Sequence, residues 1–131
     1  MSTHPAVEFA QPDLLDPLLA LDAAELDTLE FGVIGFGSAA EAVVRDYNAF
    51  ESKLAGLSKE RVIGHPLFTV VAPCMNNFMV AQRFEDAAAA GQSLDLTLDY
   101  VLTLRMRPQK VQLRLLADPG AERRFLVIRR L

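Results

Sequence analysis

The only cysteine of the chain, Cys74, is the residue best able to do covalent chemistry. It lies in the stretch VVAPCMNNF, directly after Pro73, where the sequence predicts that a helix begins. A thiolate is the reactive form of cysteine, and the positive end of a helix favours it. Two interpretations stay open at this point: an attachment or nucleophilic site, or a buried structural cysteine.

A phenol and a carboxyl group lie four residues apart in the segment YNAFE, as Tyr47 and Glu51. If Tyr47 ends a strand and Glu51 lies one turn into the next helix, both side chains can point to one place. Asn48 between them is a good helix N-cap residue, which favours that arrangement. The alternative is a half-buried core tyrosine beside a solvated helix glutamate.

Composition limits the classes of protein to consider. The chain has 131 residues, of which 51% are hydrophobic and 23% charged, so we expect one folded domain rather than a disordered chain. The net charge is −4 and the basic residues are scattered. Neither nucleic acid nor a membrane is therefore an expected partner.

Other site classes find no support in the sequence. The histidines, His4 and His65, have no metal-ligand spacing, so we expect no metal site. The GFG segment is too short for a dinucleotide-binding loop. There is no apolar run of about 18 residues and no basic start of a secretory signal. With a single cysteine, these features predict a cytoplasmic location.

Helices are predicted in four segments. Apolar periodicity indicates one or two short helices in PDLLDPLLALDAAELDTL, where Asp22 and Glu25 form a capping-box pattern. Two more short helices are predicted in NAFESKLAG and SKERVIG, each ending at a glycine. A longer helix is predicted in NNFMVAQRFEDAAAAG, which would place Cys74 at its start.

Five strands are predicted from two-residue periodicity. Residues 30–36 and 41–47 suggest a hairpin, and alternating apolar residues continue from Leu94 to Met106. Two further strands are predicted around residues 111–115 and in RRFLVIRRL, separated by the turn segment DPGAE.

The order of these elements predicts an α+β fold. Two leading and three trailing strands form a five-stranded antiparallel sheet with helices on one face, as in a PAS-type sensor domain. We expect a helical N-terminal cap over residues 1–30 and a PAS core domain over residues 31–131.

The sequence resembles the photoactive yellow proteins, a family of PAS-fold blue-light receptors. The matching segments are LDTLEFGVI, YNAFE, RVIG, VAPC, and DY followed by RPQKV, and they lie between Leu26 and Leu131. The resemblance implies that p-coumaric acid (4-hydroxycinnamate) is bound as a thioester on Cys74. It also implies that Tyr47 and a protonated Glu51 hold the phenolate of this chromophore.

The same resemblance implies which residues line the chromophore pocket: Ala55, Leu57, Phe68, Pro73, Leu102, Leu104 and Met106. Phe68 and Met106 match the family. Ala55 replaces a threonine, Leu57 replaces an arginine, and the two leucines of the third strand replace aromatic residues.

A light-driven mechanism is the hypothesis that follows. Isomerisation would let Glu51 protonate the phenolate, and the resulting carboxylate would loosen the cap and signal to an unidentified downstream protein. One alternative is a non-photoactive PAS-type module that binds another ligand or a partner through a diverged pocket. Another is acyl transfer by Cys74, although no histidine base is placed near it by a sequence motif. We therefore expect that the protein is not an enzyme. We also expect His65 to lie at the surface.

Overall fold

A five-stranded antiparallel sheet forms the centre of the protein, in the order β2-β1-β5-β4-β3. The structure is a computed structural model and describes residues 7–103 and 108–131. The strands are β1 (Gly32–Gly37), β2 (Val44–Tyr47), β3 (Leu94–Leu102), β4 (Gln109–Ala117) and β5 (Arg123–Arg130). The predicted α+β class and five-stranded antiparallel sheet are confirmed.

The helices are short and precede or interrupt the strands. They are α1 (Leu15–Ala20), α2 (Ala23–Leu26), α3 (Ala49–Ala55), α4 (Lys59–Val62) and α5 (Ala81–Ala89). A π-helical turn covers Leu67–Val71 and a 3₁₀ turn covers Pro73–Met75. No helix among the residues described is long and apolar enough to cross a membrane.

Local capping explains where the first helices start and stop. Asp22 and Glu25 form the predicted capping box at the start of α2, each side chain bonding to the backbone N–H of the other. The Asn48 side chain accepts from the N–H of Glu51 at the start of α3. That helix ends at Gly56, whose φ of 71° is a left-handed conformation that glycine adopts without strain.

The two faces of the sheet carry separate cores. On one face, α3, α4 and α5 and the turns before α5 cover apolar side chains of β1, β4 and β5, as the sequence predicted. On the other face, α1 and α2 cover a second cluster, which includes Phe31, Val33, Leu116, Phe125 and Val127. Because strand side chains alternate between the two faces, each central strand contributes to both cores.

The expected position of Cys74 at the start of the longer helix is wrong. Helix α5 begins at Ala81, seven residues beyond Cys74, which instead lies within the 3₁₀ turn. The intervening chain is held by Asn77, whose side-chain oxygen accepts from the N–H groups of Met79 and Val80. This local bonding replaces helical bonding before α5.

Arginine side chains fasten the N-terminal segment to the sheet. The buried Arg114 donates to the carbonyl oxygens of Phe9 and Gln11, at 2.8 and 2.6 Å, and forms a two-pronged ion pair with Asp95. Arg129 lies over the ring of Phe9, 4.6 Å from its centroid. The attachment therefore depends on guanidinium donors as well as on apolar packing.

We predict that Arg114→Met releases the segment around Phe9 while the sheet stays folded. The substitution keeps an apolar stem but removes the donors to two carbonyl oxygens, a loss of about 1.5–3 kcal/mol for each charged hydrogen bond. Hydrogen exchange of residues 9–21 should accelerate much more than exchange of β4 and β5. Arg83→Met, at an exposed position on α5, is the control, and equal exchange in the two variants would contradict the prediction.

Candidate functional site

A small cavity lies between the sheet and the helices that cover its first face. Its volume is about 10 Å³, roughly the space for one water molecule. Two polar side chains, those of Tyr47 and Glu51, reach this cavity. The remaining lining is apolar and comes from Ile34, Ala55, Leu57, Val71, Ala72, Met75, Leu102 and Ile128.

Tyr47 and Glu51 meet here because a strand ends directly before a helix begins. Tyr47 is the last residue of β2, pairs with Ile34 on β1, and is 3% exposed. Glu51 lies in the first turn of α3 and is 2% exposed. The predicted convergence of the phenol and the carboxyl group on one buried place is present, and a solvated Glu51 is excluded.

Glu51 is held by an arginine that the sequence interpretation did not include. Arg130, at the end of β5, donates to both carboxylate oxygens, at 2.6 Å to Oε1 and 3.0 Å to Oε2. Its Nε also donates to the side chain of Gln109 on β4, at 3.0 Å. The side chain of Arg130 is only 10% exposed. Such a two-pronged, largely buried pair fixes the geometry of both groups.

The environment acts on the Glu51 carboxyl group in two opposing ways. Burial raises the pKa of Glu51, because desolvation disfavours the charged form. The hydrogen bonds and charge of Arg130 oppose that rise. Burial has the larger effect, so protonation of Glu51 is easier here than on a protein surface.

Gly32 on β1 makes room for the carboxylate. A Cβ at this position would lie 2.1 Å from Glu51 Oε1, far inside contact distance. The close approach of the β1 backbone to the carboxyl group thus requires a glycine at this position. The backbone of β1 therefore packs directly against the Glu51 side chain of α3.

Cys74 is not among the residues that line the cavity, but residues before and after it in the sequence are. Ala72 and Met75 are lining residues, and the half-buried Cys74 packs against the same apolar core. Its carbonyl oxygen accepts hydrogen bonds from Tyr100 Oη at 2.7 Å and from Asn77 Nδ2 at 3.2 Å. These bonds fix the backbone that carries the free thiol.

The other expected pocket residues divide into three groups. Ala55, Leu57 and Leu102 line the cavity. Phe68 is buried but packs against Phe36 and Phe84, and Pro73 is exposed, so neither is part of this lining. Leu104 and Met106 fall outside the residues that the structure describes.

Arg130 could have been found from strand periodicity. Leu126 and Ile128 belong to the core on the helix-covered face, and a two-residue period places Arg130 on that same face. Its position at the end of the strand made it resemble a surface residue. The roles of Asn77 and Tyr100 carry no comparable signal, because they depend on the path of an irregular turn.

The cavity is too small for an aromatic ligand in its present form. Tyr47 and Glu51 are its polar lining residues, and the free cysteine Cys74 packs against the same core without lining it. At about 10 Å³, the cavity is far smaller than an aromatic acid. The apolar lining must move apart before an aromatic acid can fit.

Comparisons with known proteins identify relatives of the chain. The chain is 32% identical to the photoactive yellow protein of Rhodothalassium salexigens over 106 residues, 81% of this chain and 82% of that protein. The photoactive yellow protein domain of the sensor histidine kinase Ppr from Rhodospirillum centenum superposes with a TM-score of 0.78 at 35% identity. That superposition covers 88% of this chain and 98% of the domain. No family model matches the chain.

More distant structures show the fold alone. The PAS domain of the quorum-sensing receptor RpfR from Cronobacter turicensis has a TM-score of 0.58 at 13% identity, covering 78% of this chain and 94% of that domain. The fold is therefore of the PAS type, as expected from the order of the elements. With 32% identity to its curated relative over four fifths of its length, the chain belongs to the photoactive yellow protein family.

Proposed function

We propose that this protein is a blue-light receptor that carries p-coumaric acid as a thioester on Cys74. The observation that supports the proposal most is that the buried Tyr47 and Glu51 line one cavity, together with Ala72 and Met75 from the segment that carries the only cysteine. Bound there, p-coumaric acid would supply light absorption and a double bond that isomerises. The family to which the chain belongs consists of photoactive proteins, which supports the same assignment.

Tyr47 and Glu51 would hold the ring oxygen of the ligand. The tyrosine hydroxyl donates one hydrogen bond, and a protonated Glu51 donates a second. Burial favours that protonated form, and a neighbouring phenolate would favour it further. Hydrogen bonds from O–H to an anionic oxygen are short and strong, and the apolar remainder of the lining strengthens them by excluding water.

Asn48 offers a direct connection from Glu51 to the N-terminal segment. Its side-chain oxygen accepts from the N–H of Glu51 at 3.2 Å and from the N–H of Val33 at 3.0 Å. Its amide group donates to the carbonyl oxygens of Leu26 and Phe31, at 3.0 and 2.9 Å. When Glu51 loses its proton after illumination, a shift of the first turn of α3 would strain these bonds. The unit proposed to loosen is the cap over residues 1–30, leaving the core over residues 31–131 folded.

Signalling would then pass to another protein or domain. A domain of the same family belongs to a sensor histidine kinase in Rhodospirillum centenum. For this chain we propose an output through a protein partner that recognises the loosened cap. Neither nucleic acid nor a membrane surface is part of the proposal, because the net charge is −4 without a basic stripe.

A second candidate function is a PAS-type module that binds a different small ligand without photochemistry. The cavity volume of about 10 Å³ and the existing bonds of Glu51 to Arg130 favour it over an open aromatic pocket. A smaller apolar ligand would need less displacement of Leu57 and Leu102. The two functions differ in their response to a p-coumaroyl donor.

We predict that an activated p-coumaroyl donor acylates the chain once, at Cys74, and colours it. Mass spectrometry should find one acyl group on the peptide containing Cys74, and blue light should bleach the visible band reversibly. Cys74→Ala should take up no acyl group. A coloured product that does not bleach would favour the second candidate, and release of free acid with turnover would instead indicate acyl transfer.

We predict that Glu51→Gln weakens the light response of the loaded protein. Glutamine keeps a donor but has no proton to release, so the light-induced increase in hydrogen exchange near Leu26 should fall about tenfold. That factor corresponds to the loss of one charged hydrogen bond of ~1.5 kcal/mol. Glu60→Gln, at an exposed position on α4, is the control. An undiminished response in Glu51→Gln would rule out proton transfer from Glu51 as the trigger.

A further inference from the structure

The ion pair of Glu51 and Arg130 affects the loss of a proton from the Glu51 carboxyl group. A carboxylate left alone in an apolar cavity is costly. Here the guanidinium already contacts both carboxyl oxygens, at 2.6 and 3.0 Å. A charge formed on Glu51 would therefore have a partner without any rearrangement of the chain.

Two contacts hold Arg130 in place. Gln109 on β4 accepts from its Nε, and the strand pairing of Arg130 with Val111 fixes the backbone beneath it. At the position where the family has an arginine over the pocket, this chain has Leu57, which lines the cavity without charge. The cation that contacts Glu51 thus comes from the sheet rather than from the loop after α3.

We propose that Arg130 is a positioning residue of the ligand site, the fixed counter-cation of the Glu51 carboxylate. It biases a proton shared between Glu51 and a phenolic ligand toward the ligand. The inference rests on the proposed function for its effect on the ligand, but the pairing itself does not. When Glu51 loses its proton, its carboxylate forms an ion pair with Arg130 and is not left as an isolated buried charge. Because the paired charge costs less, the release of the cap is smaller.

The direction of the bias follows from where the charges lie. Both arrangements of the shared proton carry one negative charge, either on Glu51 or on the ring oxygen. Arg130 touches Glu51 directly, so it stabilises the arrangement with the charge on Glu51 more strongly. Among the described residues that line the cavity, only Tyr47 joins Glu51 as a titratable group, and the others are apolar.

The test compares Arg130→Gln with Arg129→Gln, its neighbour on the opposite face of β5. Before loading with any ligand, the side-chain carboxyl of Glu51 is titrated by carbon-13 NMR. We expect the titration of Glu51 to move to higher pH in Arg130→Gln and to stay in place in Arg129→Gln. An unchanged titration in Arg130→Gln would overturn the proposal, whatever the ligand.

After acylation with a p-coumaroyl donor, the absorption spectrum reports where the shared proton is. The ratio of the visible phenolate band to the near-ultraviolet phenol band should rise about tenfold or more in Arg130→Gln, since tenfold corresponds to one pKa unit. Light-induced exchange at Leu26 should increase beyond that of the unchanged chain. A lower ratio would contradict the inference. A shifted titration without any acylation would instead refute the proposed function and leave the pairing intact.

Gly32→Ala tests the geometry without changing any charge. A Cβ at Gly32 would lie 2.1 Å from Glu51 Oε1, so the carboxylate must leave the position in which it contacts Arg130. We expect the Glu51 titration to move to higher pH in this variant too. Because Gly32→Ala retains both charged groups, it also covers the case in which Arg130→Gln fails to fold. A titration unaffected by Gly32→Ala would show that close contact is unnecessary and contradict the proposal.

Discussion

A buried carboxyl group is the constraint around which this protein is organised. Glu51 is 2% exposed, and a charge so far from water needs either a proton or a partner. The chain provides for both, because burial favours the proton while Arg130 favours the charge. Burial and the arginine thereby act in opposite directions on the protonation of one side chain.

Asn48 links the start of the helix that carries Glu51 to the N-terminal segment. It uses its oxygen for the N–H groups of Val33 and Glu51 and its amide for the carbonyl oxygens of Leu26 and Phe31. One residue thus connects α3, β1 and the end of α2, from the core on one face of the sheet to the core on the other. A buried amide with its hydrogen-bonding groups engaged tolerates little displacement, and under the proposed function this rigidity would pass a movement of α3 to the N-terminal segment.

Local patterns predicted the fold well, because short-range chemistry determines most of its elements. Asp22, Asn48 and Gly56 marked helix ends through capping, and alternation marked the strands. The start of α5 was misplaced, because Asn77 bonds to the backbone of Met79 and Val80, a choice that composition does not reveal. At the site, Tyr47 and Glu51 were predictable from their spacing. Arg130 comes from a strand 79 residues further on, and long-range pairing of this kind depends on the assembled sheet.

The tight cavity has a kinetic consequence. With about 10 Å³ of free space, the cavity cannot hold an aromatic acid unless its apolar lining moves apart. Under the proposed function, loading would then wait for thermal breathing of α3 and the turn that carries Cys74. With excess reagent, the rate of loading would saturate at the frequency of that breathing, and its steep temperature dependence would reflect packing rather than thiol reactivity.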